Sequence, residues 1–336
     1  MSEPRDAPDG AAPPLGPTRR EALTRIGSAL LVGTAATLGA VAFYDRRKPV
    51  REHRERDRVV PSHAVELPAG TPRLVIARGK DPGRNVVAAL ERLGGMGRFV
   101  TREDVVLVKP NAGWDRTPEQ AANTDPRVIA AVVRACREAG AKKVLVADCP
   151  VNNPESCFGR SGILEAATRE GAQVVSPSRA RHVMVTIPGK LGRWPVLEPF
   201  ATATKVINVP VAKHHSLTRV TCGLKNWYGI LGGRRARLHQ RIDESIVELA
   251  ALMKPTLTVV DATRLLMRNG PTGGSLADVK RGDALAISLD PVAADAWAAS
   301  LLEADPQALA WLRLAEERKL GRVDYRVLNP LELTTG

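Results

Sequence analysis

An α/β fold, a mainly parallel sheet flanked by helices in the doubly wound manner, is predicted by three observations. From Arg73 onward, short β-branched runs alternate with amphipathic helical stretches. The runs are almost continuously apolar, as strands buried on both faces must be. Several polar residues also fall just after the runs end, where an open parallel sheet forms its ligand crevice.

In chain order the predicted strands cover residues 74–77, 105–109, 143–147, 173–175, 205–209, 257–260 and 285–288. One helix is sharply punctuated. Asp125 is placed to cap it, Pro126 suits its first turn and Gly140 follows its end. Val128, Ile129, Val132, Val133 and Cys136 form its apolar stripe. With its flanking strands it makes a βαβ unit with a right-handed crossover. A second helix is expected over residues 242–253, stopping before Pro255, and Asp290-Pro291 starts a third in the manner of Asp125-Pro126.

Ahead of this body, which spans residues 73–336, stand two other segments. Residues 1–45 carry Thr18-Arg19-Arg20-Glu21-Ala22-Leu23 and then a weakly apolar run over 26–44. Paired arginines before an Ala/Gly/Thr-rich stretch resemble a twin-arginine export signal, although Ala22 and Thr24 replace the usual Phe and Lys. The expectation is export through the twin-arginine machinery to a periplasmic or other extracytoplasmic space. Ala40-Val41-Ala42 offers a small-x-small cleavage site, whereas Arg46-Arg47-Lys48 suits an uncleaved anchor. Residues 46–72 read as a charged linker.

The 336-residue chain carries a net charge of +13, which favours anionic partners: a small molecule or a membrane surface. Nucleic acid is not expected, because export removes the protein from it and no basic-aromatic stripe is present. The four cysteines, Cys136, Cys149, Cys157 and Cys222, lack the close spacing that an iron–sulfur cluster or structural zinc requires. Cys149 and Cys157 could pair in an oxidising compartment. No nucleophile elbow, P-loop, H-E-x-x-H or dinucleotide fingerprint occurs.

Chemistry concentrates in Val206-Ile-Asn-Val-Pro-Val-Ala-Lys213-His214-His215 and Cys222-Gly-Leu-Lys225-Asn226-Trp227-Tyr228-Gly229. A strand there empties into a loop of lysines, histidines and an amide. Lys109 and Asn111 open a long loop after another strand and suit a carboxylate or phosphate. His214 and His215 are adjacent, so on extended chain one at most faces a given site, as general acid or base. Trp227 reads as an anchor for its loop. Gly232 to His239 forms a basic arm that would clamp an anion or face solvent. Arg264 and Arg268 share one side, and Asp148 and Asp261 suit a metal or the orientation of a Lys or His.

An ordered set of these segments resembles domain-of-unknown-function family 362. They are Val108-Lys-Pro-Asn111, Asn208-Val-Pro-Val-Ala-Lys-His214, Gly223-Leu-Lys-Asn-Trp-Tyr-Gly229, His239, Val260-Asp-Ala-Thr-Arg264 and Asn269-Gly-Pro. The resemblance covers roughly residues 74–325. It implies kinship with mostly bacterial and archaeal proteins, some with twin-arginine leaders and many with appended ferredoxin-type cysteine clusters. This chain has no such cluster motif.

The expected function is therefore an enzyme, or tight binder, acting on an anionic small molecule at the strand ends. Lys109, Lys213 and Lys225 would hold the anion, with Arg264 and His239 as further ligands. Asn111 and Asn226 would orient it. His214 or His215, with Lys213, would transfer protons, and Asp261 would position a base or a divalent metal. The alternative is a non-catalytic binding or redox-partner protein at a membrane surface.

Overall fold

The computed structural model describes Arg20 and residues 57–336. Apart from Arg20, the export motif and the apolar run over 26–44 lie outside the described residues. Among the described residues no helix is long and apolar enough to cross a membrane.

The chain opens with β1 (Leu74–Arg78), α1 (Pro82–Arg92), β2 (Val105–Pro110), α2 (Pro126–Glu138) and β3 (Lys143–Ala147). There follow α3 (Pro154–Arg160), α4 (Ile163–Arg169), β4 (Gln173–Val175), β5 (His182–Ile187), β6 (Gly192–Leu197) and α5 (Pro199–Thr202). The middle holds β7 (Lys205–Val209), β8 (Val211–His215), β9 (Arg219–Thr221), α6 (Gly223–Asn226) and α7 (Ile242–Met253). The chain ends with β10 (Leu257–Leu266), β11 (Val279–Ser288), α8 (Pro291–Leu301), α9 (Ala310–Glu317) and β12 (Leu331–Thr334).

The main sheet runs β12-β1-β11-β10-β7-β2-β3-β4, with β8 branching from β10 and β9 from β8. Strands β4, β3, β2, β7 and β10 are mutually parallel, as the apolar runs predict. The last predicted strand is the exception, since β11 lies antiparallel to both β10 and β1. Only residues 267–278 join β10 to β11, with no crossover helix, and so short a connection reverses the chain. Both strands run ten residues, longer than the sequence predicts. A bulge at Ala262/Arg264 bends them, and Gly282 is needed there because a Cβ would collide with the Ala262 carbonyl.

Alternate residues of the central strands feed opposite layers. Leu107 and Val206 face the α7, α8 and α9 side with the β5–β6 hairpin, whereas Val106, Val108 and Ile207 face α1, α2 and α4. Asp125 caps α2 by accepting the Arg127 N–H at 2.9 Å, and the predicted stripe from Val128 to Cys136 is fully buried. Burial of each such side chain contributes about 1.5–3 kcal/mol. The described part of the predicted linker lies on the body. The Arg58 N–H donates to the Met184 carbonyl at 2.8 Å, Asp57 pairs with Arg193 at 2.6 Å, and the His63 N–H donates to the Lys254 carbonyl at 3.1 Å.

Candidate functional site

From β2 the chain crosses through α2 to β3 on one side, while β7 flanks β2 on the other. The carboxyl ends of β2 and β7 therefore border the crevice that such a switch in direction creates. Lys109 and Asn208 sit opposite each other at these ends. Lys109 is 1% exposed. A buried ammonium is tolerated when its protons are satisfied, and here three acceptors meet them. They are Asp148 Oδ1 at 2.7 Å, the Pro110 carbonyl at 2.8 Å and Asn226 Oδ1 at 3.0 Å. The second oxygen of Asp148 accepts the Ala112 N–H at 2.7 Å. Burial lowers the pKa of Lys109, and the Asp148 carboxylate works against that shift.

Asn226 is the hub. Its Oδ1 also accepts from Asn111 Nδ2 at 3.0 Å, and its Nδ2 donates to Asn208 Oδ1 at 2.8 Å. The short helix α6 presents it here because the Gly223 and Leu224 N–H groups donate to the Asp295 carboxylate of α8, at 2.7 and 2.9 Å. Burial raises the Asp295 carboxyl to about 7, against the pull of those N–H groups. Glycine is required at both ends of this segment. A Cβ at Gly223 would lie 2.8 Å from Asp295 Oδ1. One at Gly229 would lie 2.7 Å from Lys109 Nζ and collide with Asp148 Oδ1.

Lys213 approaches from β8, also 1% exposed. Its Nζ donates to Asn111 Oδ1 at 3.1 Å and to the Ala122 carbonyl, neither of them charged. Burial, then the neighbouring Lys225 ammonium, push its pKa down to about 7. Lys225, 9% exposed, has its Nζ 4.6 Å from the centroid of the Tyr228 ring. Among the described residues it makes no hydrogen bond or ion pair. Burial, then Arg235, push it down to about 8. The cluster thus gathers three ammonium groups around one carboxylate, Asp148, which is already committed to Lys109.

Residues 106–300 match the model of the family described as Domain of unknown function (DUF362). The chain belongs to the DUF362 family. The matched span contains the whole cluster from Lys109 to Asp295 and leaves out β1 and β12, the last two strands at one side of the sheet. Over 240 residues the chain is 30% identical to a thylakoid-associated protein of Synechocystis sp., covering 69% of this chain and 73% of that protein. Among solved structures it resembles the lactate racemase apoprotein of Thermoanaerobacterium thermosaccharolyticum, with a TM-score of 0.38 and 13% identity over 73% of this chain and 62% of that one. A Thermotoga maritima protein gives a TM-score of 0.35 and 13% identity over 71% and 60%. The chain spans less than two thirds of either of those two structures.

In this DUF362 protein, Lys109, Asn111, Lys213, Lys225 and Asn226 come together as the sequence predicts. The histidine pair divides. The segment after Pro210 is the strand β8 rather than a loop, so His214 and His215 point apart. His214 Nδ1 accepts the Gly270 N–H at 3.1 Å. His215 Nδ1 accepts from the Leu217 and Thr218 N–H groups at 3.1 and 3.4 Å, so that nitrogen carries no proton. Burial, then the charges of Lys225 and Lys213, push His215 to about 3, leaving a neutral ring beside the cluster. His239 joins from outside. Its ring stands edge-on to Tyr228 at 6.0 Å, and burial and Lys225 lower its pKa.

Asp261 and Arg264 belong to a second network. Asp261 Oδ2 accepts the Asp125 N–H at 2.6 Å, and its Oδ1 accepts from the Thr263 N–H and hydroxyl at 2.9 and 2.8 Å. Arg264 Nη1 donates to Asp125 Oδ2 at 2.6 Å. Neither residue contacts the lysines through these bonds. Among the described residues no group of three or more His, Cys, Asp or Glu side chains is placed to hold a metal ion. Sequence reasoning left out Asn208, although an amide inside an otherwise apolar strand was the available signal. Tyr228 and the basic arm holding Arg235 were marked in the sequence, and both border the cluster. Hollows of about 440 Å³ beside α1 and about 140 Å³ near Trp194 and Leu238 are lined by other residues.

Proposed function

We propose that this DUF362 protein binds a small organic anion at the Lys109–Lys213–Lys225 cluster and moves a proton on it. Lys225 is the anion's anchor and Lys213 the acid–base group. One observation carries the reading: among the described residues, Lys213 and Lys225 are buried with no carboxylate partner. Uncompensated buried charge is costly, and groups perturbed in this way gather at functional sites. A lysine near pH 7 is half protonated at neutrality, the condition under which one group can both accept and donate a proton. Asn111 and Asn226 hold the lysines in position, and neutral His215 keeps a further positive charge away.

The leader is proposed to direct the protein through the twin-arginine machinery, so the anion would be met outside the cytoplasm, with residues 26–44 as cleaved signal or anchor. A reporter fused to residues 1–60 should be exported, and should stay inside when Arg19 and Arg20 are both changed to Lys. For the site, a panel of carboxylates and phosphate esters should be screened for a rise in melting temperature. The rise should vanish in Lys225→Met. With a bound carboxylate in D₂O, exchange of its acidic C–H should require Lys213 and survive His214→Ala. Equal thermal shifts in wild type and Lys225→Met would end the proposal.

A further inference from the structure

We propose that the occupant of the lysine cluster is a small dianion, a dicarboxylate or a sulfate- or phosphate-type group, and that it enters together with a proton. This rests on the anion-site reading above and adds the ligand's charge and its coupling to pH.

The inventory of hydrogen-bonding groups gives the charge. Lys109 has three acceptors for its three protons, one of them Asp148, and needs no further partner. Lys213 has two neutral acceptors for three protons. Lys225 faces a ring and has no oxygen acceptor. Among the described residues the other groups around them bring no second carboxylate. Lys213 is faced by Asn111, Lys109, Lys225 and neutral His215; Lys225 is faced by Tyr228, His239 and Arg235. The half-buried Arg235 guanidinium is turned to carbonyls, with Nη2 on Pro150 at 2.6 Å and Nη1 on Cys149. Asp125 and Asp261 are occupied in the other network. Counted without the rim guanidinium of Arg235, the three lysines set against the one carboxylate of Asp148 leave two positive charges unmatched among the described residues. A low-dielectric site is neutralised best by a ligand with two negative charges.

The proton follows from the same geometry. With the site empty, burial and mutual repulsion hold Lys213 near 7 and Lys225 near 8. An anion between them favours both charged forms, so each must recover the proton it had shed. Lys225 and the exposed His239 lie on the outer side of the cluster, and the anion would approach from there.

Isothermal titration calorimetry on the full chain, in two buffers of different ionisation enthalpy, tests this. The probes are succinate, sulfate and acetate, all fully ionised at pH 8. The expected result is a dianion at least about tenfold tighter than acetate, with uptake of about one to one and a half protons at pH 8 falling toward zero at pH 6. Succinate above sulfate assigns a dicarboxylate, and the reverse a phosphate-type group. In Lys213→Met both the uptake and the preference for two charges should shrink. Acetate binding as tightly as both dianions, or heats independent of buffer, would overturn the inference while leaving an anion site in place. Absence of binding by all three would overturn the anion-site reading with it.

Discussion

Two buried charged networks sit at the same end of the sheet and treat charge in opposite ways. At β10 the charge of Asp125 is matched by two arginines, and Asp261 is met by N–H and hydroxyl donors. Asp125 receives Arg127 at 2.8 and 3.0 Å and Arg264 at 2.6 Å, while Asp261 takes the Asp125 backbone N–H. Burial tends to raise the Asp125 pKa, but the Arg127 hydrogen bonds more than offset it and the net shift is downward. Burial and the nearby Asp125 charge raise Asp261 to about 6. That network caps α2 and ties it to β10. At β2, β7 and β8 the positive charge is in excess, and nothing in the described protein neutralises Lys213 or Lys225. The difference teaches that matched buried charge is used to hold elements together, whereas unmatched buried charge is reserved for a ligand.

The sharpest way to break this contrast is to strip the lysine cluster of its carboxylate. Asp148→Ala leaves Lys109 buried and unpaired and should cost about 3–5 kcal/mol, read as a fall in the urea midpoint. Gly229→Ala drives a methyl group into the same ion pair and should cost about 1–3 kcal/mol by that assay. A cost near zero would mean the pair is not held as tightly as its geometry indicates.

A pH series separates the two networks more finely. Lys213 and Lys225 titrate in the folded chain at about 7 and 8, down from 10.5. Between those values and 10.5 the unfolded chain holds protons the folded chain has lost, so stability rises with pH across that window. Below pH 7 the full penalty is present. The expected rise between pH 7 and 9 is on the order of 1 kcal/mol per pH unit. It should flatten in the Lys213→Met/Lys225→Met double variant; an equal slope there would place the titration elsewhere. The smallest effect belongs to the matched network. Arg264→Ala leaves Asp125 its two bonds from Arg127, so the loss should be about 0.5–1 kcal/mol, with anion-induced stabilisation unchanged.

Much of this molecule was legible along the chain, because the readable features are local. Apolar runs marked the parallel strands, Asp125-Pro126 and Asp290-Pro291 marked helix starts, and glycines framed the segment that presses on an ion pair. The lysines and amides at strand ends were legible for the same reason: a parallel sheet puts those ends on one rim. Which of them meet was not legible. Asn111 and Asn226 are 115 positions apart, Lys109 and Asp148 are 39 apart, and their contacts depend on strand order. Residue type does not distinguish Lys225, left without a carboxylate among the described residues, from Arg264, held by Asp125. Nor does it tell His214 from His215, which the continuation of β8 past Pro210 turns to opposite faces. The sequence by itself determined the elements and the stock of charged groups, because periodicity and capping act within a few residues. The tertiary structure alone decided which charges are matched, because pairing a buried charge depends on groups brought in from distant strands.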